Sequence, residues 1–341
     1  MKILCVGDAH FKLDLGYADM FEDRRIEEKT EILDFIVNES KDCETVVFLG
    51  DQLDKRNNHS SVIKEFINFI ERFDKKELYI LLGNHESVYG ERTAIDFMKE
   101  IKNKSWHVVT NKVETIGKYT FCPYFFKGQL KSETNEEASK KLMKELSGGD
   151  SLFVHHALSD SSTSSGMSTN IFDEIVLPRK ELEKRYKLVV AGHVHSPSLS
   201  TNNKTIVSGS IFNQEVGETQ KYIWKVDSET FKIEQIKLPG RPIYKQENPT
   251  LKDLDKLEKN SIVKVILTKK YEDDELEEIQ EKLKEFDAHI IIEDIPTQRK
   301  KMIVGGVSNI LDLSLDQLLE AYAKERNIEY SKLIMGFDLI R

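Results

Sequence analysis

Apolar residues up to position 191 fall in short unbroken runs, each followed at once by polar residues. Lys2–Val6, Thr45–Leu49, Leu78–Leu82, Ser151–Val154 and Leu188–Ala191 are rich in Val, Ile and Leu. Runs of this length predict strands. Between the first two, Ile26, Leu33, Phe35, Ile36 and Val37 lie on a largely helical stretch. Between the next two, Val62, Ile63, Phe66, Ile67 and Ile70 recur at helical spacing. The alternation predicts an α/β core. Trp106–Val109 and Tyr119–Cys122 read as further strands, so a mixed sheet is expected.

From Lys204 to Leu238 the pattern changes to short strands with turn residues, and Leu238-Pro239-Gly240-Arg241-Pro242 reads as a break. Beyond it, a strand over Ile262–Leu267, an acidic amphipathic helix over Asp274–Phe286 and a strand over His289–Ile292 form a β-α-β unit. Ser314 and Gln317 make a capping-box signal for a helix with Leu315, Leu318, Leu319 and Tyr322 on its apolar face. The apolar stretch Leu333–Ile340 either packs on its own domain or docks a partner. These features set expected domains at 1–240, 241–305 and 306–341. Ser159–Asn170, rich in Ser and Thr without periodicity, is expected to be a mobile loop.

A length of 341 residues exceeds one comfortable core, in keeping with a large domain plus something smaller. No apolar run approaches the roughly 20 residues that span a bilayer. Met1–Val6 reads as a strand rather than a signal peptide or anchor. The three cysteines, Cys5, Cys43 and Cys122, are scattered without CxxC spacing. That pattern fits a reducing cytoplasm and excludes a disulfide or zinc–thiolate scaffold. The net charge of −9 repels nucleic acid at long range. A chain of this charge acting on DNA needs local basic residues, bound cations or a partner subunit.

The polar residues that follow the strands carry the chemistry. They are Gly7-Asp8-Ala9-His10, Gly50-Asp51-Gln52-Leu53-Asp54, Gly83-Asn84-His85-Glu86, His155-His156 and Gly192-His193-Val194-His195. A sixth, Ser208-Gly209-Ser210, is expected only to shape the rim. Each alone fits an ordinary polar turn. Together they hold six of the nine histidines just past apolar strands, where open α/β sheets place ligands. Phosphate esters need charge neutralised on nonbridging oxygens and a strong nucleophile, and two divalent metals about 3.5–4 Å apart supply both. Metals that close require a bridging carboxylate, for which Asp51 is the natural candidate. Imidazole, carboxylate and the Asn84 carbonyl suit manganese, iron or zinc better than calcium or magnesium.

The ordered set D-x-H, GD, GNH, H and GHxH resembles the calcineurin-like metallophosphoesterases over roughly the first 240 residues. The resemblance implies a four-layer α/β sandwich of two mixed β-sheets flanked by helices, followed here by a small α+β capping domain and a C-terminal helical segment. It implies one metal on Asp8, His10, Asp51 and His195, and another on Asp51, Asn84, His155 and His193. His85 would contact the phosphate and act as general acid. His155 is preferred to His156 because it directly follows the strand. His59 is expected to cap a helix or sit on the surface, and His107 and His289 are assigned no function.

Within that family the chain resembles the SbcD-type nucleases and their bacteriophage counterparts. The likeness lies in Thr120-Phe121-Cys122-Pro123-Tyr124, in Ser208-Gly209-Ser210 with Gly217-Glu218, and in the β-α-β unit with Leu313–Tyr322. It implies a manganese-dependent DNA nuclease with 3′-to-5′ exonuclease and single-strand endonuclease activities. Its partner would be an SbcC-type coiled-coil ATPase, with a homodimer inside a heterotetramer. The alternatives are a small-molecule phosphodiesterase or a protein phosphatase of the same family. Glu86 after Gly83-Asn84-His85 favours the phosphatase. Leu82 in place of Arg, Asn57 in place of Gly, and the Gly192–His195 pattern count against it. A scaffold that has lost its chemistry is disfavoured, since no metal-motif position is replaced.

Overall fold

The computed structural model describes residues 1–13, 15, 24–88, 92–101, 105–160, 174–213, 215–218, 220–292, 303–304 and 307–308. The expected helix opening at Ser314, the apolar stretch Leu333–Ile340 and most of the Ser159–Asn170 segment lie outside these residues. The chain divides into two compact units, Met1–Tyr244 with Asn260–Ile262, and Lys245–Lys259 with Val263–Arg341.

The first unit contains two six-stranded sheets. One runs in the order Ile233–Lys237, Tyr222–Asp227, Lys2–Val6, Thr45–Phe48, Glu77–Leu81, Trp106–Val109. Its last four strands are parallel and the other pairings antiparallel. The other runs Ser198–Leu199, Thr205–Val207, Leu188–Ala191, Ser151–Val154, Tyr119–Cys122, Glu114–Ile116. There the four middle strands are parallel, with an antiparallel strand at each edge.

The unbroken apolar runs follow from this stacking, because both faces of each sheet are covered. Leu4, Val6, Val46, Phe48, Leu78 and Ile80 pack with Ile32 and Ile36 of helix Arg24–Glu39 and with Phe66, Phe69 and Ile70 of helix Ser60–Glu71. The intervening Ile3, Cys5, Val47, Leu49, Tyr79 and Leu81 pack against Phe121, Phe153, Leu188 and Val190 of the other sheet. That sheet's far face, through Leu152, Val154, Val189 and Ala191, meets Ala138 and Leu142 of helix Asn135–Glu145 and Leu182 of helix Arg179–Arg185. The result is a helix–sheet–sheet–helix sandwich.

The helix Asn135–Glu145 was not among the expected elements. Its signal is a cap: the Thr134 hydroxyl accepts a hydrogen bond from the Glu137 N–H at 3.1 Å. Cys5, Cys43 and Cys122 are buried free thiols. No helix among the described residues is long and apolar enough to cross a membrane.

In the second unit, helix Asp273–Leu283 lays Leu276, Ile279 and Leu283 against Val263, Val265, Leu267 and Tyr271. Strand Ile262–Leu267 stands between Ile243–Glu247 and Asp287–Ile292 in a three-stranded sheet.

The two large sheets meet through an aromatic stack. Phe121 lies 4.3 Å from Tyr79 of the opposite sheet and 5.3 Å from Phe153, centroid to centroid. Phe121→Ala is expected to cost about 3–5 kcal/mol, seen as a lower urea midpoint with unchanged far-UV circular dichroism. An unchanged midpoint would show that the sheets do not depend on this ring.

Candidate metal centre

Pairing register brings the motifs to one level. Val6, Phe48 and Ile80 are aligned across three parallel strands, so the segments carrying Asp8, His10, Asp51, Asn84 and His85 leave the first sheet side by side. Val154 pairs with Ala191, so His155 and His193 leave the second sheet together. The Ala9 and His10 N–H groups donate to the Asp51 carbonyl at 3.1 and 2.9 Å, tying the first motif to the second.

The backbone is strained where these side chains turn inward. His10 and Asp51 have φ of 47° and His193 of 84°. Left-handed non-glycine residues cost of order 1–3 kcal/mol each and cluster at functional sites. Two glycines are sterically required. At Gly50 φ is +104°, and a Cβ would stand 2.2 Å from His155 Nδ1; at Gly83 a Cβ would stand 2.1 Å from Asp51 Oδ1.

Two donor groups result. In one, Asp8, His10 and His195 offer ligand atoms within 4.8 Å of one another; Asp51, His155 and His193 do the same in the other. A third triple, His10, Asp51 and His85, overlaps both. His10 Nε2 and His195 Nε2 stand 2.9 Å apart. His155 Nε2 lies 3.2 Å from Asp51 Oδ2 and 3.1 Å from Asn84 Oδ1. His193 Nδ1 lies 2.9 Å from the same Asn84 oxygen.

These spacings suit a bound cation. Nitrogen and oxygen ligands about 2.1 Å from one ion, at right angles, stand about 3 Å apart. The tautomers agree. His155 Nδ1 sits 2.6 Å from the Leu49 carbonyl, which only accepts, so Nδ1 carries a hydrogen and Nε2 is the atom turned to the group. His10 Nδ1 and His195 Nδ1 face the carboxylates of Asp54 and Glu218 at 3.6 and 3.8 Å, with their Nε2 atoms turned toward each other. Atoms this close share either a hydrogen or a cation.

The electrostatics agree as well. Burial pushes the Asp8 carboxyl up, and the Asp51 charge adds to this. Burial also works against charge on Asp51, yet His155, His10 and His85 hold that carboxyl well below its usual range. Burial lowers the imidazoles of His10 and His195, the latter to about 4, which keeps their lone pairs available. On His155 burial opposes charge, but Asp51 and Asp8 prevail and raise it to about 9. The carboxylate pair thus draws positive charge onto the nearest imidazole, as a site built for cations does.

His85 is more exposed, with Nδ1 2.8 Å from the Asp54 carbonyl and its own N–H donating to Asp51 Oδ1 at 2.8 Å. His156 turns away from the centre: its Nε2 accepts the Phe125 N–H at 3.2 Å and its ring stacks on Tyr124. His59 caps helix Ser60–Glu71 by accepting the Ser61 N–H, and His107 pairs with Glu77 at 2.8 Å. The His289 side chain lies outside the described residues.

Several side chains brace the donors from behind. Glu86 accepts the N–H groups of Leu53 and Gly83 at 2.8 and 3.0 Å, bracing two motif loops together. Lys221, paired with buried Glu218 at 2.6 Å, donates to the His195 carbonyl at 3.0 Å and to Ser210 Oγ at 2.6 Å. Ser208-Gly209-Ser210 thus packs beneath the centre, and a Cβ on Gly7 would stand 1.9 Å from the Gly209 carbonyl oxygen. Glu174 Oε2 lies 2.6 Å from His193 Nε2.

Residues 1–197 match the calcineurin-like phosphoesterase family, and the chain belongs to it. Members are phosphoesterases with dinuclear metal centres, and the two donor groups above are candidates for holding such a pair. No curated protein matches the chain. Among solved structures it is similar to one described as a novel archaeal phosphodiesterase, at 17% identity and a TM-score of 0.36, covering 70% of this chain and 100% of that one. That likeness is too distant to bear on activity.

Gly83→Ala is expected to displace the Asp51 carboxylate and lower bound transition metal below the wild-type content by elemental analysis, with circular dichroism unchanged. Wild-type metal content would show that Asp51 tolerates the added methyl.

Proposed function

We propose that the chain is a manganese-dependent DNA nuclease that hydrolyses phosphodiester bonds at this centre, with 3′-to-5′ exonuclease and single-strand endonuclease activities. The observation that carries the hydrolytic reading is the pair of adjacent donor groups, with Asp51 Oδ2 between them at 3.2 Å from His155 Nε2 and 3.9 Å from His10 Nε2. Asp8, His10, Asp51 and His195 would hold one metal, and Asp51, Asn84, His155 and His193 the other; such a pair would supply charge neutralisation on nonbridging phosphate oxygens and an activated water. An all-nitrogen-and-oxygen donor set without thiolate suits manganese, iron or zinc, and manganese is the choice the nuclease likeness implies.

His85 stands beside the metal donors and holds none. The Asp54 carbonyl takes its Nδ1 hydrogen, so Nε2 is the atom free for the leaving oxygen, and the doubly protonated ring would give its Nε2 proton and return to the neutral form. Its exposure lets it reach a polymer substrate.

What supports DNA over a small phosphodiester is the accessory material beyond residue 240, with its β-α-β unit, for which a small-molecule phosphodiesterase has no need. The net charge of −9 assigns DNA attraction to the bound cations and to a partner. That partner is an SbcC-type coiled-coil ATPase docked through the C-terminal segment, with two nuclease chains in a cytoplasmic heterotetramer.

The deciding assay sets single-stranded DNA, bis-p-nitrophenyl phosphate and a phosphopeptide side by side, with manganese and with magnesium. Manganese-dependent DNA cleavage is expected, with His85→Ala slower by about 10²–10⁴-fold yet retaining its metals. Activity confined to the phosphopeptide would replace the nuclease by a phosphatase; activity confined to the small diester would replace it by a small-molecule phosphodiesterase. Undiminished turnover in His85→Ala would remove its acid role. A chain ending at Leu313 should cleave short DNA but fail to co-purify with an SbcC-type ATPase. Retained co-purification would rule out C-terminal docking.

A further inference from the structure

We propose that Glu174 is a positioning residue for His193, fixing which ring nitrogen faces the metal centre; the proposal rests on the metal reading above. Glu174 Oε2 lies 2.6 Å from His193 Nε2, and both side chains are largely withdrawn from solvent, at 15% and 14% exposure. A carboxylate only accepts, so Nε2 carries the imidazole hydrogen and Nδ1 the lone pair. Nδ1 is the atom 2.9 Å from Asn84 Oδ1, on the side of Asp51 and His155.

The arrangement parallels that of His155, with a different kind of acceptor. His155 is oriented by a backbone carbonyl of a central strand, that of Leu49. For His193 the task falls to a side chain, the carboxylate of Glu174. The backbone at His193, with φ of 84° and its N–H on Asp8, fixes where the ring begins but not which way it faces.

Glu174 reaches this position through a short parallel ladder. Ala157 pairs with Val176 and Leu158 with Leu177. Glu174 lies two residues before Val176, as His155 lies two before Ala157, so the ladder carries Glu174 back alongside the metal donors. Ile175, buried at 1% exposure, anchors the step between.

The test compares Glu174→Ala and Glu174→Gln with the wild type. In metal-free protein, long-range proton–nitrogen NMR should show His193 as the Nε2–H tautomer in wild type and Glu174→Gln, whose amide oxygen still accepts, and a mixed tautomer in Glu174→Ala. In manganese titrations, Glu174→Ala should weaken one of two equivalents about 10–100-fold and leave the other unchanged, with Glu174→Gln in between. Wild-type tautomer and affinities in Glu174→Ala, or equal weakening of both equivalents, would overturn the proposal. A wild type that binds fewer than two equivalents would retire the two-metal reading, and the tautomer alone would then decide the Glu174–His193 pair.

Discussion

A carboxylate removed from water has to be compensated where it sits. Asp8 and Asp51 are both buried at the sheet ends, with exposures of 0% and 1%; His155 is the charged imidazole facing both, and the N–H groups of His193 and His85 donate to Asp8 and Asp51. The surrounding architecture serves that compensation. Strained backbone at His10, Asp51 and His193 turns the side chains inward, and Gly50 and Gly83 let the loops close to van der Waals contact. Glu86 and the Glu218–Lys221 pair hold those loops from behind. The folding cost of so many ionisable groups at one edge is offset by three buried apolar layers beneath them.

The division of labour between the sheets gives the family its catalytic edge. The first sheet brings Asp8, His10, Asp51, Asn84 and His85; the second brings His155, His193 and His195. Both donor groups draw on both sheets. The inner apolar layer, with its Tyr79–Phe121–Phe153 stack, therefore also holds the two half-sites at their distance.

Much of this was legible in the sequence because buried strands leave unbroken apolar runs whose ends mark where ligands leave the sheet. The strand Ser151–Val154 even contains the means to separate His155 from His156. Phe153 packs between the sheets while Leu152 and Val154 face the outer helices, so His155 continues the inner row and His156 the outer one. Helix Asn135–Glu145 was missed because its buried face is sparse, resting on Ala138, Leu142 and Met143. Glu174 was not legible at all. Its contact with His193, 19 residues away, depends on the register of a two-residue ladder, and no spacing rule encodes that. Asp54 escaped for another reason: it holds His85 through its backbone carbonyl, which is the same in every residue type.

Because each donor group spans the sandwich, an ion bound there acts as a removable rivet between its halves. Binding that favours the native state adds RT ln(1 + [L]/Kd), about 4 kcal/mol when free ion stands at a thousand times Kd. The sandwich's resistance to heat thereby becomes a function of metal supply. Loss of the ion from these donors would then shorten how long the protein lasts.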